Sequence, residues 1–152
     1  MREIGGAVVF SASRRGTPCT LFRSDDPLNT PFEPVSTIFD FWDPDIFQDD
    51  DGRVFFYWGC TNKEPIWAIE LDANTLQPIG ERVAVVDENE DEHFWERIGE
   101  NNRLGEPKTE IERLTIEHIG TKPFIEGAFM NKHNGVYYLQ YAAPGTQYNT
   151  YA

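Results

Sequence analysis

Residues 43–59, DPDIFQDDDGRVFFYWG, hold two apolar and aromatic runs separated by an acidic turn. The dipeptide Asp51-Gly52 tolerates the positive φ of a tight hairpin, and β-branched and aromatic runs on both sides of such a turn predict antiparallel strands. Residues 126–142, EGAFMNKHNGVYYLQYA, repeat the pattern around Asn134-Gly135. The two stretches therefore predict an internal repeat of β-hairpins, each beginning with an acidic residue.

Glycine and proline separate short apolar runs along the whole chain of 152 residues, which contains 12 Gly and 10 Pro. The spacing of these runs, without intervening amphipathic helices, predicts an antiparallel meander rather than a parallel α/β sheet. Four-stranded antiparallel repeats in radial array are the units of a β-propeller. The predicted strands are Ala7–Ala12, Cys19–Arg23, Pro44–Gln48, Val54–Gly59, Ile66–Leu71, Ile79–Val86, Phe124–Asn131 and Val136–Tyr141.

A polar and charged segment, residues 87–122, separates the two repeats. Within it, Glu106–His118 could form a short helix with Ile111 and Leu114 on one face. We interpret the segment as a long loop or insertion. Long ordered loops are often functional, and a solvated excursion is the alternative.

The net charge of −13 argues against binding to a nucleic-acid backbone, which requires a basic face. No polybasic stretch or long apolar span predicts a membrane partner. An acidic surface is compatible with a neutral ligand such as a sugar. Asp49–Asp51 fails as a calcium loop because Phe47 and Trp58 occupy its first and closing ligand positions, so no metal site is predicted. The compartment and the oligomeric state stay open.

The two cysteines, Cys19 and Cys60, lie in apolar, strand-like contexts. A zinc site needs more ligands at closer spacing. We expect both to be buried free thiols, with a disulfide as the alternative.

Asp43 and Glu126 begin the two repeats and are the candidate catalytic residues. The innermost strand of each propeller blade lines the central channel, so carboxylates entering neighbouring inner strands converge on one pocket. Desolvation and mutual repulsion then favour protonation of one of them, and a protonated carboxylic acid facing a glycosidic oxygen is the general acid of glycoside hydrolysis. The alternative is structural: Glu126 caps a turn before Gly127, and Asp43 is an Asp-Pro turn residue.

Trp42, beside Asp43, and the stretch DEHFWERIGENN at residues 91–102 supply candidate sugar contacts. In that stretch His93, Trp95 and Glu96 combine an aromatic platform with polar groups. A loop held by a buried tryptophan is the alternative.

Three blocks of this sequence resemble glycoside hydrolase family 43, the five-bladed β-propeller enzymes that act on arabinose- and xylose-containing glycans. FWDPDIFQDDDGRVFFYWG at residues 41–59 resembles the second-blade block, and FIEGAFMNKHNGVYYLQYAAPGT at 124–146 the third. ASRRGTPCTLFRSDDPLNTPFEPV at 12–35 resembles the outer part of a first blade. The resemblance implies an all-β, partial five-bladed propeller. The end of blade one occupies residues 1–40, blade two 41–86, the loop 87–122 and the start of blade three 123–152.

The resemblance also implies an inverting, cofactor-independent glycosidase. Glu126 matches the general acid, and Asp43 matches the aspartate that orients the acid and tunes its pKa. The family's general base is an aspartate near the first innermost strand, and no Asp-Pro precedes Ala7. We therefore expect the base to lie outside this chain and the chain alone to be inactive.

The sequence departs from the family pattern in the length of segment 87–122, which is longer than in many members, and at one position after Glu-Gly. Ala128 departs from the proline often found after Glu-Gly in the family. A structural calcium is conceivable in a full propeller, but no ligand set in this sequence supports one. A non-catalytic carbohydrate-binding propeller and a decayed fragment are the alternative functions.

Overall fold

The computed structural model describes residues 1–152, and antiparallel β-sheets dominate it. No helix is long and apolar enough to cross a membrane. Short 3-10 turns lie at Phe94–Glu96 and Glu100–Asn102, and the one α-helix, α1, spans Glu110–Ile119. The strands are β1 (Arg2–Ile4), β2 (Ala7–Ser11), β3 (Thr20–Ser24), β4 (Glu33–Thr37), β5 (Asp45–Gln48), β6 (Val54–Trp58), β7 (Cys60–Thr61), β8 (Ile66–Leu71), β9 (Pro78–Val86), β10 (Ile125–His133) and β11 (Val136–Ala142).

The strands form three sheets that follow one another along the chain. The first has the order β1-β2-β3-β4, the second β5-β6-β8-β9 and the third β11-β10-β7. Every pairing is antiparallel. The first two sheets are four-stranded meanders, as in propeller blades. The predicted all-β, partial-propeller architecture is confirmed.

The predicted strands all appear, and three unpredicted ones join them. Arg2–Ile4 is too short and too polar to show a strand pattern, yet it pairs with Ala7–Val9. Glu33–Thr37 contains Pro34, which a sheet accepts at an edge strand because proline cannot donate to the ladder. Residues 1–40, which we expect to be the end of blade one, contain a four-stranded sheet.

Strand β6 of the second sheet is buried on both faces, which explains why it reads as one apolar run, VFFYW. Alternate side chains point to opposite faces of a strand. Val54, Phe56 and Trp58 belong to the core shared with the first sheet, while Tyr57 belongs to the core shared with the third. Burying a side chain such as that of Phe56 stabilises the fold by about 1.5–3 kcal/mol. Packing between sheets therefore holds the three blades together.

The two predicted hairpin turns differ in type. Asn134 and Gly135 have φ values of 50° and 78°, the paired positive values of a two-residue turn. At the first turn only Gly52 has a positive φ, 87°, and the Asp49 amide donates to the Arg53 carbonyl at 2.9 Å. That turn is a three-residue loop with glycine in the left-handed position.

The charged segment contains the predicted helix, displaced toward its C-terminal end. Thr109 accepts from the Glu112 amide while the Glu112 carboxylate accepts from the Thr109 amide, so a capping box starts α1 at Glu110. Gly120, with φ 98°, follows the helix. No residue of α1 is buried, and Ile111 is exposed.

Candidate active site

Asp43, Cys60 and Glu126 come together at one end of the second and third sheets. One side-chain donor atom from each lies within 4.8 Å of those of the other two, and each residue is partly buried. Asp43 and Glu126 are separated by 83 positions in sequence, so only the packing of the two sheets brings their carboxylates together.

Glu126 is held between two strands. Its backbone pairs with Cys60 on one side and with Ala142 on the other. The register between β10 and β11 shifts between Glu126 and Phe129, which marks a β-bulge, and Gly127 within it has φ 67°. Bulges bend a strand and re-aim its side chains, and glycine adopts this φ without strain. Glycine therefore follows Glu126 because the bulge that orients the Glu126 carboxylate places the next residue at a positive φ.

Asp43 sits just before β5 with a φ of 47°, although Pro44 follows it. Residues before proline normally adopt extended backbone, and a non-glycine residue in the left-handed region costs energy that the surrounding structure must offset. The Gly59 amide donates to the Trp42 carbonyl at 3.0 Å and ties this corner to the end of β6. Strained backbone of this kind clusters at functional sites.

Burial raises the pKa of Asp43, and the charge of Glu126 raises this pKa further. The neighbouring Cys60 thiol and Gly127 amide oppose the rise. Burial likewise raises the pKa of Tyr151, and Glu126 adds to the effect, which places this phenol beside the same carboxylates. Asp43 therefore holds a proton more tightly than an isolated aspartate does.

Cys60 is a site residue that the sequence analysis treated only as a structural thiol. Its Sγ donates to Oε2 of Glu126 at 2.9 Å. Both cysteines are free thiols, with Cys19 buried and Cys60 half-buried. The sequence position of Cys60 could have indicated that it lies near Asp43. Cys60 directly follows the hairpin that begins at Asp43, and the two ends of a hairpin lie at the same edge of a sheet.

The nearby carboxylate of Asp45 is occupied. It accepts two hydrogen bonds from the Arg2 guanidinium, at 3.0 and 2.9 Å, and one from the Met130 amide at 2.8 Å. Only 6% of the Asp45 side chain is exposed. Asp45 therefore serves the packing of the inner strands and has no free oxygen for chemistry.

Trp42 is exposed beside the carboxylates and lines a cleft of about 300 Å³ together with Cys60, Trp58 and Trp67. The Arg15 guanidinium lies 5.4 Å from the centroid of the Trp42 ring. Because the Trp42 side chain is exposed, its ring is accessible to a ligand in the cleft.

His93, Trp95 and Glu96 form a second cluster. The His93 and Trp95 rings stack with centroids 4.6 Å apart, and about half of Trp95 is exposed. Glu96 is completely buried and accepts from the Asn89 amide at 2.6 Å and from the Tyr141 hydroxyl, with His93 Nδ1 at 3.1 Å. Glu96 therefore fastens the charged segment to β11. No atom of this side chain is left to contact a sugar in this arrangement.

The cluster of Asp43, Cys60 and Glu126 is also the one set of side chains that could hold a metal ion. A thiolate with two carboxylates suits a soft or borderline cation such as Zn²⁺, whereas calcium prefers oxygen ligands alone. The raised pKa of the Cys60 thiol works against such binding, since a metal requires the thiolate.

Residues 13–152 match the model of the family Glycosyl hydrolases family 43. Over 141 residues the chain is 28% identical to Xylosidase/arabinosidase 43A of Humicola insolens, which covers 83% of this chain and 42% of that protein. The fold is similar to that of a thermostable family-43 glycoside hydrolase, with a TM-score of 0.65, 23% identity and coverage of 97% of this chain and 46% of that one.

An α-L-arabinofuranosidase of Clostridium thermocellum shares the fold with a TM-score of 0.55 and 19% identity, over 95% of this chain and 41% of that one. The chain thus spans less than half the length of these relatives. The family model nevertheless matches almost the whole of this chain, residues 13–152. The chain therefore belongs to glycosyl hydrolase family 43.

Proposed function

We propose that this chain supplies the acid half of a glycosidase active site. The reaction is hydrolysis of the O-glycosidic bonds of arabinose- or xylose-containing oligosaccharides or polysaccharides, with inversion. The convergence of Asp43 and Glu126 within 4.8 Å carries this proposal. The names of the relatives, a xylosidase/arabinosidase and an arabinofuranosidase, support the substrate class.

Glu126 is the general acid in this proposal. Its bulged position on β10 aims the carboxyl out of the strand ladder, and Asp43, whose pKa is raised by burial and by the charge of Glu126, lies beside it. The O–H bond of Glu126 breaks as the glycosidic C–O bond breaks, the proton passes to the leaving oxygen, and Glu126 is left as a carboxylate. Water attacks the anomeric carbon from the opposite face and gives its proton to a general base, so that a C–O bond to water replaces the bond that breaks. Asp43 orients the acid and adjusts its affinity for the proton.

Asp43 is not the partner that attacks or activates water. Inverting enzymes separate acid and base by about 6.5–9.5 Å so that a water fits between them, and retaining ones separate acid and nucleophile by about 5–5.5 Å. One oxygen of Asp43 lies within 4.8 Å of one oxygen of Glu126, and the two charges interact directly, as in a pair that shares a proton. Asp45 is occupied by Arg2, so we propose that the base comes from outside these 152 residues.

The test compares leaving groups. In the protein expressed from its complete reading frame, Glu126→Gln should lower kcat by about 10²–10⁴-fold on an unactivated disaccharide, the range of general acid catalysis. The loss should be much smaller on a dinitrophenyl glycoside, whose leaving group needs no proton. Glu92→Gln, at an exposed position, is the matched control.

Three outcomes would contradict parts of this proposal. Equal losses on both substrates would remove Glu126 from the acid role. A product of retained anomeric configuration, detected by NMR during turnover, would exclude inversion. Sugar binding that survives Glu126→Gln in a full-length protein without hydrolysis would favour a carbohydrate-binding propeller.

A further inference from the structure

The bond between Cys60 and Glu126 is fixed by the backbone. Strand β7 has two residues and leaves the second sheet to pair with β10, where Cys60 and Glu126 are direct partners. Gly59 permits this crossing because a Cβ at its position would lie 3.0 Å from the Ile66 Cα, with φ at 156°. The thiol therefore meets the carboxylate through strand pairing and not through a flexible side chain.

The thiol acts as a neutral donor. Burial, followed by the hydrogen bond to Glu126, raises the pKa of the Cys60 thiol, so the sulfur keeps its proton. Its Sγ–H points to Oε2 of Glu126 at 2.9 Å. A carboxylic acid that accepts a hydrogen bond on Oε2 carries its own proton on Oε1, because a protonated oxygen is the poorer acceptor.

We propose that Cys60 is a positioning residue for proton donation by Glu126: its thiol occupies Oε2 and leaves Oε1 as the atom that carries and delivers the proton. This inference rests on the proposed function. As the proton departs, negative charge develops on Glu126, and a hydrogen bond to a carboxylate is stronger than one to a neutral acid. The thiol thus stabilises the transition state more than the ground state.

The first test needs no activity. Selective ¹³C labelling of glutamate side chains lets NMR follow the carboxyl titration in the protein from its complete reading frame, with Glu126→Gln assigning the signal. Removing a donor to a carboxylate favours its protonated form, so Cys60→Ala should move the midpoint of the Asp43–Glu126 pair upward by about 0.5–1 pH unit. Cys60→Ser retains a donor and should restore the wild-type midpoint. Cys19→Ala, at the other free thiol, is the control and should leave the midpoint unchanged.

The second test uses the protein from its complete reading frame. Cys60→Ala should lower kcat/KM on an unactivated disaccharide about three- to tenfold, the factor that corresponds to a shift of about 0.5–1 pH unit, and should move the basic limb of the pH profile upward. Cys60→Ser should rescue both. Circular dichroism confirms that each variant is folded.

The two proposals fail in different ways. An active enzyme whose Cys60→Ala variant titrates and turns over like wild type would overturn the role of Cys60 alone. A Cys60→Ser variant that titrates and turns over like Cys60→Ala would also overturn the role of Cys60. A folded wild-type enzyme without hydrolysis would overturn the proposed function, and with it the part of Cys60 in proton donation.

Discussion

Arg2 and Asp45 form a two-point ion pair where β1, β5 and β10, one strand from each sheet, meet. The guanidinium of Arg2, in β1, donates to both oxygens of Asp45, in β5, and also to the carbonyl of Met130, in β10, at 2.8 Å. The Met130 amide in turn donates a hydrogen bond to the Asp45 carboxylate. One pair of side chains thus links three blades, and the Phe129 ring lies 3.9 Å from the Arg2 guanidinium carbon.

Asp45→Asn should therefore destabilise the chain strongly. It removes the charge that balances Arg2 in a largely buried setting, and breaking a buried pair by changing one partner costs about 3–5 kcal/mol. The measurement is the free energy of unfolding from urea titration. Glu70→Gln breaks the exposed two-point pair between Glu70 and Arg53 and is the control, with a far smaller expected change. Equal losses for the two variants would show that the Asp45 pair has no special structural role.

The pKa of Asp43 predicts a pH-dependent stability. Because the native pKa lies above the ordinary value of 3.8, the native state binds more protons than the unfolded chain in the window between the two. The free energy of unfolding then falls as pH rises through this window, and the loss is complete above it. Asp43→Asn removes the titration, and asparagine tolerates the left-handed backbone.

We expect Asp43→Asn to melt at a higher temperature than wild type at pH 7, with the difference disappearing below pH 3.8. Thermal melts across pH check this. Asp91→Asn, at an exposed position, should leave the profile unchanged. A lower melting temperature for Asp43→Asn at pH 7 would mean that the carboxylate stabilises the site.

Phe56 tests the packing between the first two sheets. Its side chain is completely buried in β6 and packs against Phe41 with ring centroids 4.8 Å apart. Phe56→Ala should cost about 3–5 kcal/mol, the usual cost of deleting a buried aromatic ring. Phe94→Ala removes a ring that is mostly exposed and should change the free energy of unfolding little. Urea titration of both variants would settle whether this interface holds the blades together.

Glu96 is expected to order the charged segment. Glu96→Gln keeps the shape of the side chain but removes the carboxylate that is hydrogen-bonded to the Asn89 amide, His93 and Tyr141. The free energy of unfolding should fall by about 1–3 kcal/mol, as expected for a buried polar group that loses its partners. Hydrogen exchange of the Asn89 amide should accelerate while exchange in β6 stays slow. Unchanged protection at Asn89 would show that other contacts hold the segment.

The 152-residue chain should be only marginally stable by itself. The third sheet exposes about half of Val136, Tyr137 and Tyr138, and exposed aromatic surface beside open strand edges favours association. We expect a broad thermal transition and binding of a hydrophobic dye. A cooperative, high-temperature melt of the monomer would contradict this prediction.

Local pattern predicted most of the strands and the two hairpins, because alternation and turn chemistry involve residues close in sequence. It also indicated that Asp43 and Glu126 begin the two repeated stretches, because the point at which a strand starts depends on residues close in sequence. The resemblance to the family supplied their roles. Glu106–His118 was close to the true helix, and only the capping box at Thr109 moved its start.

Tertiary structure decided the rest. The short strand Arg2–Ile4 forms because its partners bury Ile4 and bind Arg2, and neither partner can be read from three residues. Glu96 looked like a surface sugar contact until long-range packing placed it beneath Tyr141. Cys60 looked like a core thiol until β7 crossed to pair with β10. In each case the deciding contact joins residues far apart in the chain. A local sequence pattern records what a residue prefers, whereas its partners depend on how the sheets pack.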